Sequence, residues 1–97
     1  MSRPYEIRYA EEAIADIRAL RTFDQRKVLD AIEQYLAHQP GLESKSRIKA
    51  MAQPFWSQYR LRIDDFRVYY DVDGAQPTVN VLRVLKKGTG STPQVLP

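Results

Sequence analysis

Residues 58–72, QYRLRIDDFRVYYDV, alternate polar and apolar side chains on both sides of an Asp64–Asp65 break. A strand turns successive side chains to opposite faces, so this alternation marks strands with one face buried. With Asp64–Asp65 as a two-residue hairpin turn, Ile63 faces Phe66, Arg62 faces Arg67 and Leu61 faces Val68. Further along, Arg60 faces Tyr69 and Tyr59 faces Tyr70. One side of the hairpin then carries Tyr59, Leu61, Ile63, Phe66, Val68, Tyr70 and Val72. The other carries Gln58, Arg60, Arg62, Arg67, Tyr69 and Asp71.

The flanking sequence supplies what the apolar side must pack against. PYEIRY (4–9) reads as a first strand with Tyr5, Ile7 and Tyr9 on one face. In AEEAIADIRALRTF, residues Ala10, Ala13, Ile14, Ile17 and Leu20 fall at helical spacing, and Glu11 and Glu12 sit where the helix dipole favours anions. Asp24 suits the N-cap of a second helix, QRKVLDAIEQYLAH, whose apolar stripe is Val28, Leu29, Ile32, Tyr35 and Leu36. His38 is placed at its C-terminal end as a surface cation, and QPG (39–41) stops the helix. The connector LESKSRIKAMAQP (42–54) holds Lys45, Arg47 and Lys49, with a short extended piece around 47–51. Residues 55–63, 66–73 and 78–85 read as strands rich in β-formers. Residues 86–97 read as a fraying tail. The expected fold is α+β, in the order β-α-α-β-β-β: an antiparallel meander with a helical hairpin packed on one face, in a single domain spanning 1–97.

Composition narrows the chemistry. The 97 residues include no cysteine and one histidine, which excludes disulfides, Cys–metal sites and a His-based metal cluster. No apolar run approaches the ~20 residues a membrane helix needs, and MSRPYEIRY has no hydrophobic signal region, so a cytoplasmic protein is expected. Lys and Arg total 15 against 12 Asp and Glu. That excess is small, so the placement of the charge matters more than its sum. Like charges directly opposite on a sheet destabilise it. A hairpin that keeps Arg62 against Arg67 points to a polyanion between them. Guanidinium forks grip phosphate oxygens in bidentate fashion, and Tyr69 offers a ring to a base. Lys45, Arg47, Lys49, Arg83, Lys86 and Lys87 extend the basic surface. The competing reading is a solvated sheet face neutralised by Asp64, Asp65 and Asp71.

YRLRIDDFRVYYDVD followed by VNVLRVLKKG resembles the RelE/ParE superfamily of type II toxin–antitoxin toxins. It is similar to that family's Y-R-[IL]-R-x-G-[DN]-[YF]-R-[VI]-x-Y block and closing [VI]-x-V-L-x-V-x-x-[KR] strand. The basic stretch SKSRIKAMAQPFW precedes it as in the family, and the likeness runs from YEIRYAEEAIADIRAL onward. The resemblance implies a microbial-ribonuclease-like fold and a cognate antitoxin whose C-terminal segment wraps the toxin. RelE-like members cut mRNA in the ribosomal A site with a 2′-hydroxyl as internal nucleophile, needing neither metal nor cofactor. ParE-like members inhibit DNA gyrase and cut nothing.

On the RelE pattern, Arg60 and Arg62 orient the phosphate and help deprotonate the 2′-hydroxyl, and Arg67 stabilises the pentavalent phosphate. Lys87, with Lys86 as the alternative, grips the phosphate late in the chain. From the charge pattern, Lys45, Arg47, Lys49, Arg83, Lys86 and Tyr69 are expected to contact RNA. Three departures stand out. GTGSTPQVLP has no Tyr or His to serve as general acid, the second-strand bases are both Arg, and Asp64 replaces a family glycine. Arginine stays protonated and is a poor proton acceptor. Trp56, beside Phe55 and Pro54, reads as core or antitoxin groove.

Overall fold

The computed structural model describes residues 4–87. Of the expected tail, everything past Lys87 lies outside the described residues. Seven elements follow in chain order: β1 (Glu6–Tyr9), α1 (Glu11–Arg18), α2 (Thr22–Leu36), β2 (Ile48–Ala50), β3 (Tyr59–Ile63), β4 (Phe66–Asp73) and β5 (Thr78–Lys86). The strands form one sheet in the order β1-β5-β4-β3-β2. Strands β2 to β5 make an antiparallel meander, as expected, and β1 adds to β5 in parallel, so the sheet is mixed. The extended piece expected near 47–51 is the edge strand β2. Helix α2 begins at Thr22 with Arg21 at the N-cap, which moves Asp24 from the expected cap into the first turn. There Asp24 still complements the helix dipole and pairs with Arg21 at 3.1 Å.

The β3–β4 register is the one the alternation requires, from Tyr59 opposite Tyr70 to Ile63 opposite Phe66. Leu61, Ile63, Phe66, Val68 and Tyr70 are buried in one cluster with Ala13 and Ile17 of α1 and Val28, Ala31, Ile32 and Leu36 of α2. Tyr59 and Val72 pack against its margin. Both helices therefore cover the apolar side of the hairpin, and the arginine side is left to the opposite surface. Ile14 and Leu29 do not join them: each is 37% exposed. On α2 the buried set is Val28, Ala31, Ile32 and Leu36, spaced i, i+3, i+4, i+8. Leu29 lies about 100° around the helix from Val28, off that stripe.

Strand β5 carries an irregularity where it pairs with β4. Tyr69 pairs with Arg83 while Tyr70 pairs with Val81, so Leu82 has no partner across the ladder. The extra residue shifts the phase of the strand. Val79, Val81 and Val84 all reach the core through it, and without it Arg83 would stand opposite Val68 inside.

Candidate functional site

The hairpin places Arg60 and Arg62 on β3 and Arg67 on β4 on the face away from the helices, with Arg62 directly opposite Arg67. Strand β2 brings Lys49 opposite Arg60. The connector before β2 folds back over this edge and encloses a depression of about 230 Å³ whose lining includes Lys45, Arg47, Lys49, Arg60 and Arg62, with Glu43 as the single acid. Ser44 orders the connector: its Oγ accepts from the backbone N–H groups of Arg47 and Ile48, both at 3.1 Å. This is the side chain–backbone turn that serine favours.

The three aspartates that could neutralise the patch are mostly engaged elsewhere. Asp64 pairs with Lys27 of α2 at 3.2 Å. Asp71 Oδ1 accepts the backbone N–H of Gln58 at 2.7 Å. Of the three, Asp65 alone bears on the Arg67 pKa, raising it less than Tyr69 does and less than the opposing influences lower it. The Arg67 guanidinium is pushed below its ordinary value, first by partial burial and then by the charges of Arg62 and Arg60. Its Nη1 donates to the carbonyls of Asp64 and Phe66, at 2.9 and 3.0 Å. Among the described residues none of Arg60, Arg62 and Arg67 forms an ion pair. Arg60 Nε is buried and meets no hydrogen-bond acceptor. A buried donor without an acceptor is costly, and a group of like charges without a counter-ion repels itself. An anion entering the cleft offsets the repulsion.

The other expected contacts divide. Lys45 and Lys49 are exposed at the cleft. Arg47 is held by the fold: its Nη1 donates to the Arg62 carbonyl at 3.1 Å and its guanidinium lies 5.1 Å from the Tyr35 ring centre. Arg83 is withdrawn from the patch. Its Nε and Nη2 donate to Asp16 of α1 at 2.7 and 3.0 Å, and that bond is the main reason its pKa is raised. Lys86 stands opposite Phe66 with its Nζ 5.9 Å from that ring, toward the helix layer. Lys87 is exposed, its backbone N–H donating to the Asp65 carbonyl at 2.6 Å, beside the turn that carries Arg67.

Tyr69 corrects the expectation of an open ring, because it is 7% exposed. Trp56 and Phe55 cover it, with centroid distances of 4.7 and 6.2 Å. Trp56 is accordingly absent from the core cluster and lies on the arginine face of the sheet. Sequence reasoning missed this lid because FWS read as the start of a strand. It missed Asp16 because an acid in the middle of an amphipathic helix looks like solvent surface.

The family described as ParE toxin of type II toxin-antitoxin system, parDE, matches residues 7–89. No curated protein gives a significant sequence match. Among solved structures, the chain is similar to the toxin–antitoxin complex RelBE2 from Mycobacterium tuberculosis, with TM-score 0.72 and 22% identity over 87% of this chain and 99% of that one. It is similar to the archaeal RelE–RelB complex from Pyrococcus horikoshii OT3, with TM-score 0.70 and 19% identity over 89% and 98%. The isolated E. coli RelE toxin follows with TM-score 0.65 and 15% identity over 90% and 88%. These likenesses speak for the fold, and the family match extends through the arginine hairpin and the last strand. The chain belongs to the ParE toxin family of type II toxin–antitoxin systems, within the RelE/ParE superfamily.

Proposed function

We propose that this toxin is a metal-independent endoribonuclease that cuts mRNA in the translating ribosome. The observation that carries the reading is the cleft formed by Arg60, Arg62 and the 45–49 connector, adjoined by Arg67 and without ion pairs among the described residues. In the proposed reaction the substrate's own 2′-hydroxyl loses its proton to solvent and attacks the neighbouring phosphorus, the P–O5′ bond breaks, and the departing 5′-oxygen takes a proton from solvent, leaving a 2′,3′-cyclic phosphate and a 5′-hydroxyl. Negative charge gathers on the phosphorane oxygens, where fixed cations contribute most. Arg60 and Arg62 orient the phosphate, Arg67 faces the developing charge from the opposite strand, and Lys87 closes the site beside the turn. Arginines cannot accept the 2′-hydroxyl proton readily, so the reaction leans on electrostatic stabilisation. The likeness to RelE structures, two of the three above being complexes with RelB, supports the reading and an antitoxin as partner. The test is purified toxin in a translation extract, with primer extension on ribosome-bound mRNA. Cleavage within codons is expected. Growth arrest with uncut mRNA removes the proposal.

A second reading, a non-catalytic inhibitor of DNA gyrase, is favoured by the ParE description of the matched family and by the absence of an exposed phenol or imidazole from the lining of the cleft. Intact gyrase supercoiling at excess toxin removes it.

A further inference from the structure

We propose that Trp56, seated with Phe55 over Tyr69, is the platform on which a base of single-stranded RNA stacks while a neighbouring phosphate occupies the arginine cleft. The inference rests on the phosphate-cleft reading above and adds to it the part of the surface that recognises the nucleotide.

Phe55 and Trp56 spend two large aromatic side chains on the face of the sheet opposite the helices. Neither belongs to the hydrophobic core cluster. Their rings stack on each other at 5.1 Å with an interplanar angle of 28°, and Trp56 lies 4.7 Å from Tyr69 at 44°. Both rings lie near Tyr69, and both also keep part of their surface exposed.

The segment is also pinned. Gln53 Nε2 donates to the carbonyls of Met51 and Ser57 at 3.1 and 3.2 Å, and Gln53 Oε1 accepts the Phe55 N–H at 3.4 Å. Ser57 is 1% exposed and donates through Oγ to the Tyr59 carbonyl at 3.2 Å. A platform held this way loses little entropy when a ligand stacks on it.

Its position supplies the ligand's chemistry. Tyr69, the base of the stack, is directly opposite Arg60, and Arg60 is directly opposite Lys49. Directly opposed side chains start about 5 Å apart, so the aromatic stack begins one side chain from the cleft. A row of cations beside a π-face matches a single strand, whose phosphates take the charges and whose unstacked base takes the ring. An apolar protein partner would leave Arg60, Arg62 and Lys49 desolvated against it.

Trp56 is the chain's single tryptophan, so its emission reports the platform without labelling. At low salt, a short single-stranded RNA is expected to quench this emission, and an abasic strand of the same length is expected to bind without quenching. Trp56→Ala is expected to weaken binding of the ordinary strand about tenfold and to leave the abasic strand's affinity unchanged, with Trp56→Phe retaining most of the difference. The wild-type comparison of the two strands needs no variant to fold. If RNA binds and Arg60→Ala abolishes binding, yet both strands leave the emission alike and Trp56→Ala titrates as wild type, the platform is overturned and the cleft stands. If neither strand binds wild-type toxin at low salt, the cleft reading falls and the platform with it.

Discussion

Asp64 sits in the β3–β4 turn at φ 50°, in the left-handed region that favours glycine, and it takes the place of the glycine in the motif that the hairpin resembles. The replacement is tolerable because aspartate enters that region more readily than most residues. Its pair with Lys27 is 66% exposed on the Asp64 side and worth little. Asp64→Val is therefore expected to cost about 1–2 kcal/mol, and Asp64→Gly close to nothing. Urea denaturation compares them, and equal midpoints for the two variants would remove the backbone argument. One strand further, Arg67 makes its hydrogen bonds to turn carbonyls and sits among like charges, so the fold gains little from it. Arg67→Ala is expected to abolish growth arrest while its unfolding midpoint stays within about 0.5 kcal/mol of wild type, as for surface changes generally. A folded Arg67→Ala toxin that still arrests growth takes Arg67 out of the site.

At the scale of elements, the open edge of β5 is closed by a side chain rather than by a strand. Strand β1 pairs only as far as Val81, and past that point Asp16 of α1 accepts the Val84 N–H at 2.9 Å and both Arg83 nitrogens. The pair is mostly covered, with Asp16 and Arg83 side chains 16% and 24% exposed. Asp16→Ala leaves two donor groups facing an empty edge and is expected to cost about 1–3 kcal/mol, whereas Asp16→Asn keeps one acceptor and loses less. Thermal unfolding ranks the three proteins, and an Asp16→Ala variant as stable as wild type would show the edge to be indifferent to its cap. The Arg83 pKa is raised, so its charge and this contribution persist throughout the neutral range. These contacts also mark where sequence reading stopped. The β3–β4 hairpin was legible because alternation over a two-residue turn has one solution. The tie between Asp16 and Arg83 was not, because it joins residues 67 apart and depends on the bulge at Leu82. Arg83 reads as one more cation until the sheet is closed. The lid over Tyr69 was hidden for a related reason: period-two patterning assigns a face to a ring but says nothing of a loop that returns to cover it.

The whole molecule is two-sided, with helices on one face of the sheet and an uncompensated cluster of arginines on the other, and the core between them holds a phenol that links sheet to loop. Tyr70 is fully buried and donates its hydroxyl to the Pro40 carbonyl at 2.5 Å. Burial, with a smaller effect from Tyr59, raises its pKa well above the ordinary value. Tyr9 is raised as well, by burial and then by Glu33. Below the unfolded value of about 10, both states hold these protons and the full contribution of the neutral phenols is present. Above it the unfolded chain releases protons that the folded chain retains. Stability should then fall by about 1.4 kcal/mol per pH unit for each such tyrosine until the folded group titrates in turn. Tyr70→Phe removes one of the two shares. It also deletes the bond to Pro40, which lowers stability by a similar amount at every pH, so the slope and not the level carries the information. Urea unfolding on either side of pH 10 is expected to show a steep alkaline loss in wild type and a shallower one in Tyr70→Phe. Parallel slopes would mean that the Tyr70 proton is held no more tightly in the folded chain than in the unfolded one.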